Sequence, residues 1–260
     1  MALRDWQIAL GQLVEARSAG RDGMSVREAL AGLELDDAER AWLEEVTGTR
    51  GFALTSYVPR WWREARVGCS APLTLAALGA DARARVQDYQ RAVPNFTLFF
   101  APEGIAFLAY VETLPVPGHV HAVARFERAM WNLKLAMPSM SAPVPAVPKE
   151  APLVRHPAAA LIPFEVPPEL LLGALLQGAP LPEPTTEPHY VLVAPGLPGA
   201  WRPATHDEAR VFLACEPAMT LHALQSLSGA SPDIVEGLLF ARALMWGAAR
   251  RAESEAAMAV

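Results

Sequence analysis

Leu3, Trp6, Leu10 and Leu13 recur at helical spacing, with Arg4, Asp5 and Gln7 between them. A single apolar stripe of this kind predicts an amphipathic helix at the start of the chain. The same period returns up to residue 137. Ser25 and Glu28 have capping-box spacing, and Asp36 opens a second start ahead of Trp42 and Val46. Gly48 and Gly51 interrupt the pattern. Helices are then expected over Tyr57–Arg66, over Leu73–Leu78 (stopped by Gly79), over Ala82–Ala92 and over Gly104–Thr113. The stripe is clearest from His119 to Met137, where Val123, Phe126, Met130, Leu133 and Met137 share a face. No alternating signal intervenes, so about six short helices in a bundle are expected here.

After Met137 the pattern changes. Only six of the 24 prolines precede that residue, whereas nine fall between Pro138 and Pro168. Proline fixes φ and removes an amide donor, so Pro138–Pro152 reads as an extended, semi-rigid linker. Beyond it, Leu170–Leu176 is a short apolar helix. Tyr190–Ala194, aromatic and β-branched between Pro188 and Pro195, reads as a strand. Ala200–Arg202 is expected to pair with it through the Pro195–Gly199 turn. Thr205 with Glu208 forms a capping box ahead of a helix through Leu213, and Thr220–Leu227 forms another before Gly229. Ser231–Pro232 opens a final helix to about Ala252. The fold expected is α+β: an N-terminal all-α helical bundle over 1–137, a proline-rich linker over 138–152, a small mixed α/β domain with a short sheet over 153–252, and a frayed tail over 253–260.

Composition narrows the chemistry. The chain has 260 residues, 52% hydrophobic and 19% charged, which excludes wholesale disorder. Its net charge is -6, with 15 Lys+Arg against 16 Asp+Glu up to residue 137 and 7 against 12 after it. That balance argues against nucleic acid as a partner. Two cysteines, Cys69 and Cys215, cannot build a disulfide framework or a thiolate metal site. With no secretory signal and no apolar run of about 18 residues, a soluble, cytoplasmic protein is expected.

Catalytic signatures are missing: there is no phosphate-cradling glycine loop and no nucleophile elbow. His119 and His121 would meet at one metal only on a strand or loop, and no carboxylate or cysteine stands close enough to complete a ligand set. His206-Asp207-Glu208 falls in a first helical turn, where acids complement the macrodipole. The segment Tyr57-Val58-Pro59-Arg60-Trp61-Trp62-Arg63-Glu64-Ala65-Arg66 is less easily absorbed. Adjacent helical positions differ by about 100°, so both tryptophans cannot face one core. Tyr57, Trp61, Trp62, Arg63 and Arg66 are therefore candidates for a partner or interdomain interface. Core packing and nucleic-acid contact by the arginines are the alternatives. Tyr190, Val191, Leu192 and Val193 are candidates for peptide binding, since a short sheet leaves an edge that accepts an extended chain unless it is covered. On residues alone, this is a binding or scaffolding protein without catalytic, cofactor or metal residues of its own.

The order of segments resembles a known family. The features that carry the resemblance are Tyr57 in an early helix, Leu78-Gly79, Phe107-Leu108-Ala109-Tyr110-Val111-Glu112 followed by Leu114-Pro115, Ala124–Ala129, His156–Leu161, and the strand and helix at Tyr190–Ala194 and Thr205–Leu213. Together, from about Ser56 to Gly247, they resemble the partner subunits of multinuclear non-heme iron-dependent oxidases, the methanobactin-biosynthesis partner-like family. Similar sequences have also carried a DNA-binding label. The resemblance implies a chain that holds no iron. Its helical domain would dock a TIM-barrel oxidase through Trp61 and Trp62. Its C-terminal domain would pair the leader of a ribosomally made precursor peptide with Tyr190–Val193, so that a core residue, often cysteine, reaches the iron. A DNA-binding transcriptional regulator, a stand-alone enzyme and a purely structural adaptor are the competing expectations.

Overall fold

The computed structural model describes residues 3–18, 28, 30, 32–33, 35–93, 97–137, 152–216, 218–229 and 231–247. Ser25, nearly all of the expected linker and the expected tail lie outside them. Up to residue 137 the helices are α1 (Leu3–Ser18), α2 (Asp37–Thr47), α3 (Arg50–Ser70), α4 (Pro72–Leu78), α5 (Ala82–Ala92), α6 (Phe100–Val111) and α7 (Gly118–Ala136). The chain divides into two compact units, 1–72 with 80–107, and 73–79 with 108–260. This division differs from the one expected at the prolines, because α7 belongs to the second unit.

In the first unit, Asp36 caps α2 with a full capping box, accepting from Glu39 N at 2.8 Å while Glu39 accepts from Asp36 N at 2.9 Å. Thr49 caps α3 by accepting from Phe52 N at 3.1 Å, so the helix begins before Gly51 and runs 21 residues, through Pro59. Ala9, Leu13, Leu43 and Phe52 join in one core between α1, α2 and α3. Gly104 on α6 lets that helix approach α3 closely: a Cβ there would stand 2.2 Å from Ser70 Cβ.

The second unit contains β1 (Leu153–Arg155), β2 (Ala160–Phe164), α8 (Pro168–Gln177), β3 (His189–Val193), β4 (Trp201–Ala204), α9 (His206–Ala214), α10 (Leu221–Ser228), α11 (Pro232–Phe240) and β5 (Leu244–Trp246). The α+β class is as expected. Two antiparallel sheets form, one of order β2-β3-β4 and one pairing β1 with β5. Alternation divides the larger sheet between two cores. Ile162, Phe164, Val191 and Val193 pack with Val123, Phe126 and Leu133 of α7 and with Leu171 and Leu175 of α8. Leu192 faces the opposite core, with Val211, Leu224 and Leu238 of α9, α10 and α11.

The final helix is shorter than expected. It ends at Phe240, and Ala243 N returns to Leu238 O at 2.9 Å around Arg242, whose φ is 54°. That left-handed residue turns Leu244–Trp246 out of the helix and against Leu153–Arg155.

Glu127 on α7 is buried and caps α4, accepting from Leu73 N at 2.9 Å and Thr74 N at 2.8 Å. Burial raises its carboxyl above the ordinary value, and the bonds from Thr74 and Leu73 oppose this only in part. A raised acid binds more protons folded than unfolded, so its share of stability falls as pH rises from the ordinary carboxylate range through the raised value. Urea titrations across that range should show this fall in the wild type and a flatter profile in Glu127→Gln; parallel profiles would contradict it.

Candidate functional site

On α3 the usual distribution of residues is inverted. Its inward positions include Phe52 and Val67 but also Arg63 and Arg66, each only 5% exposed. Its outward positions Leu54, Tyr57, Val58, Trp61 and Trp62 follow i, i+3, i+4, i+7, i+8 and form one continuous apolar stripe. Tyr57 is 56% exposed and each tryptophan 46%, with the two indoles edge to face at 4.9 Å. Arg60 and Glu64 sit beside the stripe and pair with each other at 3.5 Å. From Gly51 to Cys69 no fully exposed residue of α3 is charged. Tyr57, Trp61 and Trp62 thus lie where a partner could reach them.

Arg63 and Arg66 do not, which corrects their expected place at the interface. Arg63 Nε donates to Glu103 Oε1 at 2.9 Å, and Arg66 Nη2 lies 3.6 Å from Glu103 Oε2. Tyr89 donates its hydroxyl to the same carboxylate at 2.9 Å, with the Arg63 guanidinium 5.1 Å from its ring centre. Burial and the Glu103 charge push the Tyr89 phenol above its ordinary value, so it stays a donor. Arg63 Nη1 also donates to Val93 O at 3.0 Å. A buried charge left without its counterion is costly, which draws the arginines inward toward the carboxylate.

Tyr190, Val191, Leu192 and Val193 are likewise placed differently from expectation. They form the middle strand, with Val191 paired to Ile162 on one side and to Pro203 on the other, so both sides of β3 are occupied. Three buried residues in a row, Val191–Val193, carry the signature of a strand covered on both faces. The edges are β2 and β4, and each contains a proline, Pro163 opposite Tyr190 and Pro203 opposite Val191. Proline fits a ladder only where its nitrogen faces outward. Both prolines satisfy one parity, in which Val191 bonds toward β2 while Tyr190 and Leu192 bond toward β4. Leu161 and Pro163 then turn their backbone groups to the outer edge of β2, and Trp201 and Pro203 to that of β4. Arg202 Nη1 donates to Pro203 O at 2.8 Å, which occupies one outward carbonyl of β4. Among the described residues, no hydrogen bond is made by the Leu161 N–H or to the outward carbonyls of Leu161 and Pro163 on β2.

At the end of β2 lies a cleft of about 360 Å³. Its walls come from Gly118, His121 and Arg125 in the first turns of α7, from Pro163–Glu165 at the end of β2, and from Thr185–Pro188 ahead of β3. His121 donates Nε2–H to Leu114 O at 2.9 Å, which positions its ring. Thr185 N and Oγ1 both donate to Glu165 O, at 2.7 and 3.0 Å, and tie the loop to the strand end. Nothing in the local sequence marked this cleft, because its walls come from three separate stretches of the chain, 118–125, 163–165 and 185–188.

The remaining candidates stay structural. His119 and His121 lie in the first turn of α7, a helix, where i, i+2 residues diverge. Thr205 and Glu208 form the expected capping box. Cys69 is exposed on α3, whereas Cys215 is buried, and burial raises its thiol. Among the described residues, no group of His, Cys, Asp or Glu is placed to hold a metal, and no helix is long and apolar enough to cross a membrane. No model of a known protein family matches the chain, and comparison with characterised proteins finds no significant match.

Two contrasts in urea denaturation test these placements. Glu103→Gln should cost about 3–5 kcal/mol by stranding two buried arginines, whereas Trp61→Ala and Trp62→Ala, on the surface, should stay within about 0.5 kcal/mol. Leu192→Pro, in the middle strand, should lose about 3 kcal/mol or more. Leu161→Pro, with its nitrogen facing outward, should keep the fold; comparable losses in the two proline variants would refute the assigned parity.

Proposed function

We propose that the chain is a non-catalytic partner protein that docks a TIM-barrel multinuclear non-heme iron oxidase. It recruits the leader of a ribosomally synthesised precursor peptide, in the cytoplasm, for modification of a core residue such as cysteine. The observation that carries the reading is the inverted α3, with arginines inside and an uncharged aromatic stripe outside. Stripe residues of this size offer roughly half of the ~800 Å² that one partner contributes to a stable interface. Tyrosine and tryptophan are the residue types that dominate binding energy in such patches.

The iron and the oxygen chemistry belong to the oxidase, and no cofactor is assigned to this chain. What it contributes is position. The oxidase sits against Leu54, Tyr57, Val58, Trp61 and Trp62. The leader adds as an extended strand on the outer edge of β2 at Leu161, not on β3. Strand addition uses backbone groups, so one side chain at the edge matters less than the Leu161 N–H.

Co-expression with the oxidase, followed by size-exclusion chromatography with iron analysis, tests the reading. An iron-containing heteromer is expected. The double variant Trp61→Glu/Trp62→Glu should elute alone while remaining folded. In the heteromer, Cys69, on the same outward surface, should react more slowly with an alkylating reagent. Leader binding should be lost in Leu161→Pro with docking intact. Clean separation of the wild-type chain as a stable monomer would overturn the proposal.

A further inference from the structure

We infer that the free chain pairs with a second copy of itself through the outer face of α3, the two helices lying antiparallel about a twofold axis at Trp62. Such a pair covers, in the absence of the oxidase, the same stripe that the oxidase is proposed to use, and it forms or fails independently of that docking.

The charges beside the stripe are self-complementary. Arg60 and Glu64, paired at 3.5 Å within one copy, both lie on one flank of the stripe of Leu54, Tyr57, Val58, Trp61 and Trp62. The exposed residues of the other flank, Thr55 and Cys69, are uncharged. In an antiparallel twofold pair, residue i of one copy meets j of the other while j meets i, and each flank faces the same flank of the second copy. Arg60 then faces Glu64 of the second copy, and Glu64 faces its Arg60, so each charge gains a second counterion. The level midway between them is Trp62, near the middle of a face that runs from Leu54 to Cys69. The axis set by charge therefore also centres the apolar contact. A parallel pair would set Arg60 and Glu64 against Thr55 and Cys69 and gain no charge contact.

The ends of the helix match as well. With the axis at Trp62, Ser70 of one copy comes level with Leu54 of the other. Ser70 donates its hydroxyl to Phe100 O at 2.8 Å, so Phe100 and the preceding Leu98 and Phe99 adjoin that end of α3. Leu98 is 79% exposed and Phe99 72%, and both belong to the same compact unit as α3. Pairing brings them toward Leu54 of the second copy, itself more than half exposed. Their side chains raise the apolar area per copy from the stripe's half toward the ~800 Å² of a standard interface. An area at or below that size suits a reversible pair that yields to a larger partner.

The test uses the full chain alone, in sedimentation equilibrium from about 1 to about 200 μM, a range that brackets a micromolar equilibrium. The wild type should show monomers and dimers in exchange. Arg60→Glu and Glu64→Arg should each weaken the dimer about tenfold, since both contacts between copies become repulsive. An equimolar mixture of these two variants should restore dimers, because each offers the charge that the other lacks. Trp62→Glu should stay monomeric, and far-UV circular dichroism should be unchanged in all three surface variants. A wild type that stays monomeric throughout would overturn the inference and leave oxidase docking, read by co-expression, untouched. A dimer insensitive to Trp62→Glu would overturn it by placing the contact elsewhere. Charge variants that pair like the wild type, or weakened ones whose mixture stays monomeric, would overturn the antiparallel twofold arrangement.

Discussion

Glu103, fully buried on α6, is the residue around which the first unit is arranged. A carboxylate taken out of water needs counterions and hydrogen bonds, and it finds them in Arg63, Arg66 and Tyr89. Meeting that need sets the rotation of α3 about its axis. Once positions 63 and 66 point inward, helical geometry sends 54, 57, 58, 61 and 62 outward, whatever their hydrophobicity. The exposed tryptophans are therefore a consequence of buried charge. A helix packed by hydrophobicity alone would rotate the other way and hide them. That conflict between local preference and global placement is the pattern expected where a surface is kept for a partner.

The second unit solves a comparable problem with backbone. Among the described residues its larger sheet has three strands, and both of its edges are potential templates for unwanted pairing. One proline on each edge removes a donor, and the two prolines agree on a single hydrogen-bonding parity. A slip of one residue would turn a proline nitrogen toward a carbonyl on both sides of β3 and reverse every side chain between the two cores. Register is thus held from the edges as well as from Val191, Leu192 and Val193 in the middle. Arg202 then occupies the Pro203 carbonyl on β4.

Much of this was legible in the sequence where a signal is local. The α7 stripe, the capping boxes at Asp36 and Thr205, and the strand ahead of Pro195 were read from spacing and residue type alone. β1, β2 and β5 were not, because three to five residues such as Leu153–Arg155 acquire strand geometry only from a partner far along the chain. The centre-versus-edge position of β3 depends on β2, and so could not be inferred while β2 was unseen. Its run of consecutive buried residues was the available clue, since an edge strand with one wet face would alternate. Trp61-Trp62 was informative for the opposite reason: adjacency on a helix is a geometric contradiction with a single core, and no distant partner is needed to see it. The arginines misled because their charge reads as surface until Glu103, 40 residues away, is brought beneath them.

The two candidate surfaces therefore depend on different physical terms, and this shapes what each can recognise. The α3 face acts through side-chain area that is already ordered on a long helix, so little entropy is lost when a rigid partner covers it. Any affinity of that face would be concentrated in its few aromatic residues. The β2 edge would act through main-chain groups that every peptide has, so by itself it would hold an extended chain with little regard to sequence. Discrimination there would have to come from side chains next to the edge. A chain that presents a peptide to another protein would need such a combination: a selective, rigid contact for the constant partner and a tolerant contact for the peptide.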